Sequence, residues 1–280
     1  MDSLKTIAIL GTGSMGIDLG LLASLHGFDV ILWHRKDSRV ALDRLTARIE
    51  KYVGKDILSA SDREMAMSRI NVSSQLDDLS DVDLVIETIA ENLTDKSTLL
   101  NRVGQVVSEA CIVVSNTSSL SVEELASYTR DPRRFAGLHF FNPALKMELV
   151  EIVAGPETSC ETIAELKQFV ARLGKTAVQV NDAPGFIVNR LMACQVREAM
   201  LLVEQGVASP EDIDTAVKLG LAHPIGPLAL ADLIGLDVML AIFNALSSGL
   251  GERFAAPECL KDKLANGMLG RKTLAGFFNY

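Results

Sequence analysis

The chain has 280 residues, 48% of them hydrophobic and 22% charged, which suits a soluble globular protein with room for one large α/β domain and a smaller one. A formal net charge of -9 and a pI near 5.0 argue against a nucleic acid or an anionic membrane as principal partner, because either needs a clustered basic face. Cys111, Cys160, Cys194 and Cys259 are far apart and lack metal-ligand spacing, so free thiols in a reducing compartment are expected and no metal site is read. Met1 to Lys5 shows neither a signal h-region nor an arginine-rich transit sequence, and no apolar stretch is long enough to span a bilayer; the expectation is a cytoplasmic protein.

Thr6 to Leu10 is a short apolar run ending in a glycine-rich turn, Gly11-Thr12-Gly13-Ser14-Met15-Gly16. Ile17 to Leu25 then has helical character, and Phe28 to Trp33 is a second apolar run. This is the strand-turn-helix-strand order of a βαβ unit, whose buried parallel strands read as continuous hydrophobic stretches. Arg39 to Arg69 is charged, with Leu42, Leu45, Ile49, Val53 and Ile57 at helical spacing, and is predicted to be a helical hairpin projecting from the sheet. Val82 to Ile86 and Cys111 to Val114 are further apolar runs, each leading toward a helical pattern. The alternation stops near Asn181-Asp182-Ala183-Pro184-Gly185, and helices are predicted over Phe186 to Glu204, Pro210 to Leu219 and Pro227 to Leu246. The fold class is therefore α/β: a Rossmann-type doubly wound sheet with a helical hairpin insertion, followed by an all-α C-terminal domain. The expected domains are residues 1–182, binding a dinucleotide, and residues 183–280, helical.

Gly11, Gly13 and Gly16 match the G-x-G-x-x-G fingerprint, in which glycines allow a tight turn, close approach of backbone to a pyrophosphate, and close helix-strand packing. The match follows a strand and opens a helix, the context that makes it specific, and it places Ser14 and Met15 at the cofactor as well. An NAD-selective site carries Asp or Glu at the end of the second strand, where this chain has Trp33-His34-Arg35-Lys36. A carboxylate would repel a 2′-phosphate, whereas His34, Arg35 and Lys36 offer donors and positive charge. The reading favours NADP(H), with a solvated basic turn and NAD as the alternative.

His139 lies in Gly137-Leu138-His139-Phe140-Phe141-Asn142-Pro143, and Glu151 follows in Leu149-Val150-Glu151-Ile152-Val153. A histidine whose tautomer is fixed by a carboxylate is a ready proton acceptor or donor. On these two residues alone the structural reading is favoured: His139 caps a strand and Glu151 points to solvent by strand alternation. Between the Cys111 strand and this segment, Ser115-Asn116-Thr117-Ser118-Ser119-Leu120 is a polar turn at a strand's carboxyl end, where doubly wound folds bind ligands. Ser121 with Glu124 also reads as a capping box.

Together, Gly11 to Gly16, Glu91-Asn92-Leu93, Ser115 to Leu120, His139 to Pro143, Glu151, Ala183 to Arg190, His223-Pro224-Ile225-Gly226-Pro227 and Gly270-Arg271-Lys272-Thr273 resemble the 3-hydroxyacyl-CoA dehydrogenases, most of all the short bacterial 3-hydroxybutyryl-CoA dehydrogenases, over the whole chain. The resemblance implies that His139 is the general base, that Glu151 orients it, and that Ser118 and Asn189 bond the substrate oxygen and thioester side, in a site formed between domains. It also implies cofactor contacts from Glu91, Lys96, Asn142 and Lys272, a CoA-phosphate contact from Lys55, an acyl-CoA substrate and a homodimer. Wide apolar faces on the helices after Phe186 agree with the dimer. Two departures stand out: His34 replaces the family's strand-end acid, and Lys-Thr-Gly-x-Gly-Phe-Tyr appears as Lys272-Thr273-Leu274-Ala275-Gly276-Phe277-Phe278. The alternatives are a related dehydrogenase acting on an acyl carrier protein-bound group in a polyketide-type pathway, and a non-catalytic dinucleotide-binding redox sensor or structural protein; the presence of His139, Glu151 and Asn189 weighs against the last.

Overall fold

The computed structural model describes residues 4–280, in two compact units, the first ending at Asp182 and the second spanning Ala183–Tyr280. The first unit is built on one sheet with strands β1 (Thr6–Leu10), β2 (Asp29–Trp33), β3 (Ile70–Ser73), β4 (Leu84–Glu87), β5 (Ile112–Ser115), β6 (Phe135–Phe140), β7 (Leu149–Ala154) and β8 (Thr176–Asn181). Their spatial order is β3-β2-β1-β4-β5-β6-β7-β8, and every neighbouring pair is parallel except β6 with β7, which are antiparallel. The apolar runs become the central strands β1, β4 and β5, buried on both faces as parallel strands under helices must be.

Helix α1 (Ser14–Leu25) is buried from Gly16 to Ser24, because it packs on β2 and is itself covered by a later helix. The predicted hairpin exists as α2 (Ser38–Val53) and α3 (Ala60–Arg69). Asp37 caps α2 by accepting from Arg39 N, and Ser59 with Asp62 forms a capping box on α3. Its inner face differs from the predicted stripe. Ala41, Leu45, Ile49 and Tyr52 are buried, while Leu42 and Ile57 are exposed, because the former lie on the 4-4-3 line that meets the sheet. Both helices pack on β3 and on α1, so the hairpin is seated on the sheet edge rather than projecting from it. Helices α4 (Leu93–Gly104), α5 (Val122–Ala126) and α6 (Cys160–Arg172) complete the unit.

The second unit contains α7 (Val188–Glu204), α8 (Pro210–Gly220), α9 (Pro227–Ile234), α10 (Leu236–Leu250) and α11 (Glu258–Ala265), around a core that includes Val196, Met200, Leu228, Leu236, Met239, Phe243 and Leu260. The single helix predicted over Pro227 to Leu246 is two helices bent by 101°. Gly235 makes the break: at φ 107° it adopts a conformation that a side chain resists and that a helix cannot continue through. Asp214 accepts from Leu228 N and Ala229 N at the start of α9, and Asp232 accepts from Phe277 N and Phe278 N of the tail.

In the tail, the departing Leu274 and the retained Gly276 have different physical weight. Leu274, where the family has glycine, sits at φ 59° and is 64% exposed, so its side chain gains little burial to offset a left-handed backbone. The retained Gly276 has no such latitude: a Cβ there would lie 2.0 Å from Asp232 Oδ1. Leu274→Gly is expected to raise the unfolding free energy by about 0.5–1 kcal/mol, and Gly276→Ala to lower it by roughly 1–3 kcal/mol. Urea unfolding checks the two signs, and a Leu274→Gly protein no more stable than its parent would show that the tail carries no strain there.

Candidate active site

The glycine turn joins β1 to α1. Gly11 has φ 120°, and a Cβ on Gly16 would lie 2.0 Å from Gly11 O, so α1 can start against the strand only without a side chain at that position. A Cβ on Gly13 would meet nothing within 4 Å, which leaves open space over the turn. Helix α1 begins with no side-chain cap, so its first N–H groups form an anion-binding end. Met15 packs toward the core, and Ser14 Oγ accepts from Arg48 Nη2.

Beside the turn is a cavity of about 330 Å³, bordered by Gly11, Gly13, Trp33, His34, Arg35 and Arg44, and by Asp95 and Arg102 of α4. Thr12 Oγ1 and Trp33 Nε1, both at its margin, are buried with no hydrogen-bond partner among the described residues. Buried polar atoms are normally satisfied, so these two fit a site whose ligand brings polar groups, and with the open Gly13 they fit a dinucleotide. Arg44 and Arg102 were not singled out in the sequence; only an alignment of α2 and α4 to the strand ends could have found them.

At the carboxyl ends of β4 and β5 lies a buried ionic network. Glu87 accepts from Lys96 Nζ through both oxygens, at 2.7 and 2.8 Å, and also from Ser115 Oγ and Ile89 N. Lys96, 1% exposed, is 3.3 Å from Glu91 Oε2, and Glu91 Oε1 accepts from Thr117 Oγ1, Ser118 N and Ser119 N at 2.6, 2.8 and 2.9 Å. Burial would raise the Glu91 pKa, but Lys96 and the donors of Thr117, Ser118 and Ser119 outweigh it and hold the carboxyl below its usual range. One carboxylate thus clamps the turn that carries Ser118. Ser121 caps α5 by accepting from Glu124 N, and its hydroxyl donates to Asp182.

The His139 and Glu151 side chains meet because β6 and β7 pair with these residues directly opposite. His139 Nδ1 lies 2.8 Å from Glu151 Oε2, with His139 5% and Glu151 1% exposed. The structural reading that sends Glu151 to solvent is overturned: β7 is an interior strand with both faces covered, so alternation does not lead to water. The Phe141 ring sits 4.5 Å from the imidazole, and Asn116 Oδ1 accepts from Phe140 N at 2.9 Å.

The first unit therefore assembles the glycine turn, the end of β2, Glu91, Lys96, Ser118, His139 and Glu151 along the carboxyl edge of its parallel strands, with Asn142 exposed just past β6. Lys55 is exposed in the turn after α2. Asn189 stands in the first turn of α7, and Lys272 donates to both oxygens of Asp237 at 2.7 and 2.9 Å, holding that carboxyl below its usual range.

A depressed folded-state pKa means that Glu91 contributes stability above its ordinary titration range and loses it as pH falls through the lower folded value. Glu91→Gln is expected to destabilise by about 1–3 kcal/mol near neutrality, and the gap from the parent should shrink between about pH 6 and pH 3. Denaturant unfolding at both pH values measures it; a gap that does not change with pH would remove the ionised carboxylate as the clamp.

Residues 6–183 match the 3-hydroxyacyl-CoA dehydrogenase NAD binding domain, and residues 185–280 match the C-terminal domain of the same family. A protein named "Probable 3-hydroxybutyryl-CoA dehydrogenase" from Deinococcus radiodurans is 42% identical over 97% of this chain and 99% of its own length. The 3-hydroxybutyryl-CoA dehydrogenase of Bradyrhizobium diazoefficiens is 41% identical over 99% of this chain and 96% of its own. The crystal structure of (S)-3-hydroxybutyryl-CoA dehydrogenase from Ralstonia eutropha, 38% identical, has a TM-score of 0.93 and covers 99% of both chains. With both domains of the family matched in order along its length, the chain belongs to the 3-hydroxyacyl-CoA dehydrogenase family.

Proposed function

We propose that this chain is an (S)-3-hydroxyacyl-CoA dehydrogenase of the 3-hydroxybutyryl-CoA type that works with NADP(H). The observation that carries the chemistry is the buried His139–Glu151 pair at 2.8 Å. With its Nδ1 proton donated to Glu151, the imidazole uses Nε2 to take the 3-hydroxyl proton during oxidation and to return it during reduction. The buried carboxylate stabilises the imidazolium that forms, as the aspartate of a serine-protease triad does. Ser118, clamped through Glu91, and Asn189 of α7 bond the substrate oxygen and thioester side. A bound nicotinamide supplies the hydride exchange at C3.

Glu91, Lys96, Asn142 and Lys272 serve the cofactor, and Lys55 the CoA phosphates, on the family pattern. The names of the relatives support an acyl-CoA substrate. The NADP(H) preference rests on this chain's own residues: no carboxylate stands at the end of β2, and His34, Arg35, Arg44 and Arg102 border the cavity there.

His139→Gln is expected to lower kcat for acetoacetyl-CoA reduction by at least ~100-fold with little change in cofactor affinity; a near-normal kcat would take His139 out of the proton relay. Initial rates on one preparation should give a higher kcat/KM with NADPH than with NADH, and the reverse order would overturn the cofactor assignment.

A further inference from the structure

The basic groups around the cavity at the end of β2 differ in what they can give a ligand. His34 Nδ1 accepts from the backbone N–H groups of Lys36 and Asp37, at 3.3 and 3.2 Å, which leaves Nε2 as the ring nitrogen it can offer a ligand. Guanidinium groups at the margin come from Arg35, Arg44 and Arg102, against the carboxylate of Asp95.

Arg44 stands apart from the others in how it is placed. It projects from α2 two turns past the Asp37 cap, and its Nη1 donates to Thr12 O of the glycine turn at 3.2 Å. One turn further along the same helix, Arg48 donates to Ser14 Oγ and pairs with Asp18 at 3.5 Å, while Tyr52 OH lies 3.0 Å from both Asp18 oxygens. These contacts pin α2 to the start of α1. Arg44 is thereby held over the cavity, between the glycine turn and the His34-Arg35 strand end, with one of its five N–H donors on Thr12.

We infer that Arg44 is a specificity residue for the cofactor, binding the 2′-phosphate of the adenosine ribose together with Arg35; this rests on the NADP(H) reading above. Its planar fork suits a phosphate, and a 2′-hydroxyl in the same place would give it no anion to pair with. The contribution is one of discrimination, added to the anion-binding end of α1, which serves either dinucleotide alike.

Calorimetric titration of the full chain with adenosine 2′,5′-bisphosphate and with 5′-AMP tests this without turnover. The parent protein is expected to bind the bisphosphate at least about tenfold more tightly than AMP. Arg44→Ala should weaken bisphosphate binding about tenfold and AMP binding by less than about twofold, with Arg44→Lys restoring only part of the loss because it keeps the charge but not the fork. A parent that binds both ligands equally would sink the NADP(H) reading itself. A parent preference that survives Arg44→Ala would sink only the role of Arg44. Equal losses for both ligands would likewise remove Arg44 from discrimination and make it a support of the glycine turn.

Discussion

One reversal of strand direction sets the chemistry of the first unit. From β3 across to β6 the sheet is parallel, and β7 then runs back against β6, so that residues 139 and 151 face each other across a ladder. Had β7 been parallel, the short connection between the strands could not have been made, since a parallel return needs a crossover of a dozen or more residues. The eight residues between Phe140 and Leu149 suffice for an antiparallel return. An imidazole and a carboxylate thereby share one face of two buried strands, where their interaction is shielded from water.

A second constraint works beside it through charge. Glu87 and Lys96 are essentially inaccessible, and taking Lys96 away would leave the Glu87 carboxylate in the core without its counter-ion, a loss of about 3–5 kcal/mol. That ion pair is not isolated: Lys96 also faces Glu91, whose other oxygen gathers donors of Thr117, Ser118 and Ser119 in the serine-rich turn. The order of the turn after β5 thus depends on a lysine nine residues beyond Glu87, and the polar groups at the two strand ends act as one body.

Much of this was legible in the sequence, for reasons that are local. Buried parallel strands announce themselves as apolar runs, and the glycine turn is legible because Gly16 answers to the carbonyl oxygen of Gly11 in the same turn. What escaped depended on distant partners or on a single torsion. Pro227 to Leu246 reads as a continuous apolar helix, and only the φ of Gly235 divides it. The stripe of α2 was displaced because Ala41 is small enough to be overlooked as a core residue, while the larger Leu42 lies outside. The place of Glu151 beside His139 is legible only through the family pattern, because strand alternation alone sends it to solvent and that rule fails on a strand with two covered faces. The places of Arg44 and Arg102 are set by how two helices return to the strand ends, which no spacing in the chain expresses.

Trp33 is the only tryptophan in the chain, and it closes β2 at the wall of the cavity with its indole nitrogen buried and unpartnered among the described residues. Indole emission shifts with local polarity and hydrogen bonding, and here no second tryptophan contributes a background. The protein therefore carries an optical reporter at the cavity beside its glycine turn. Occupancy of that cavity can be followed in unlabelled protein by fluorescence, separately from anything that happens at His139.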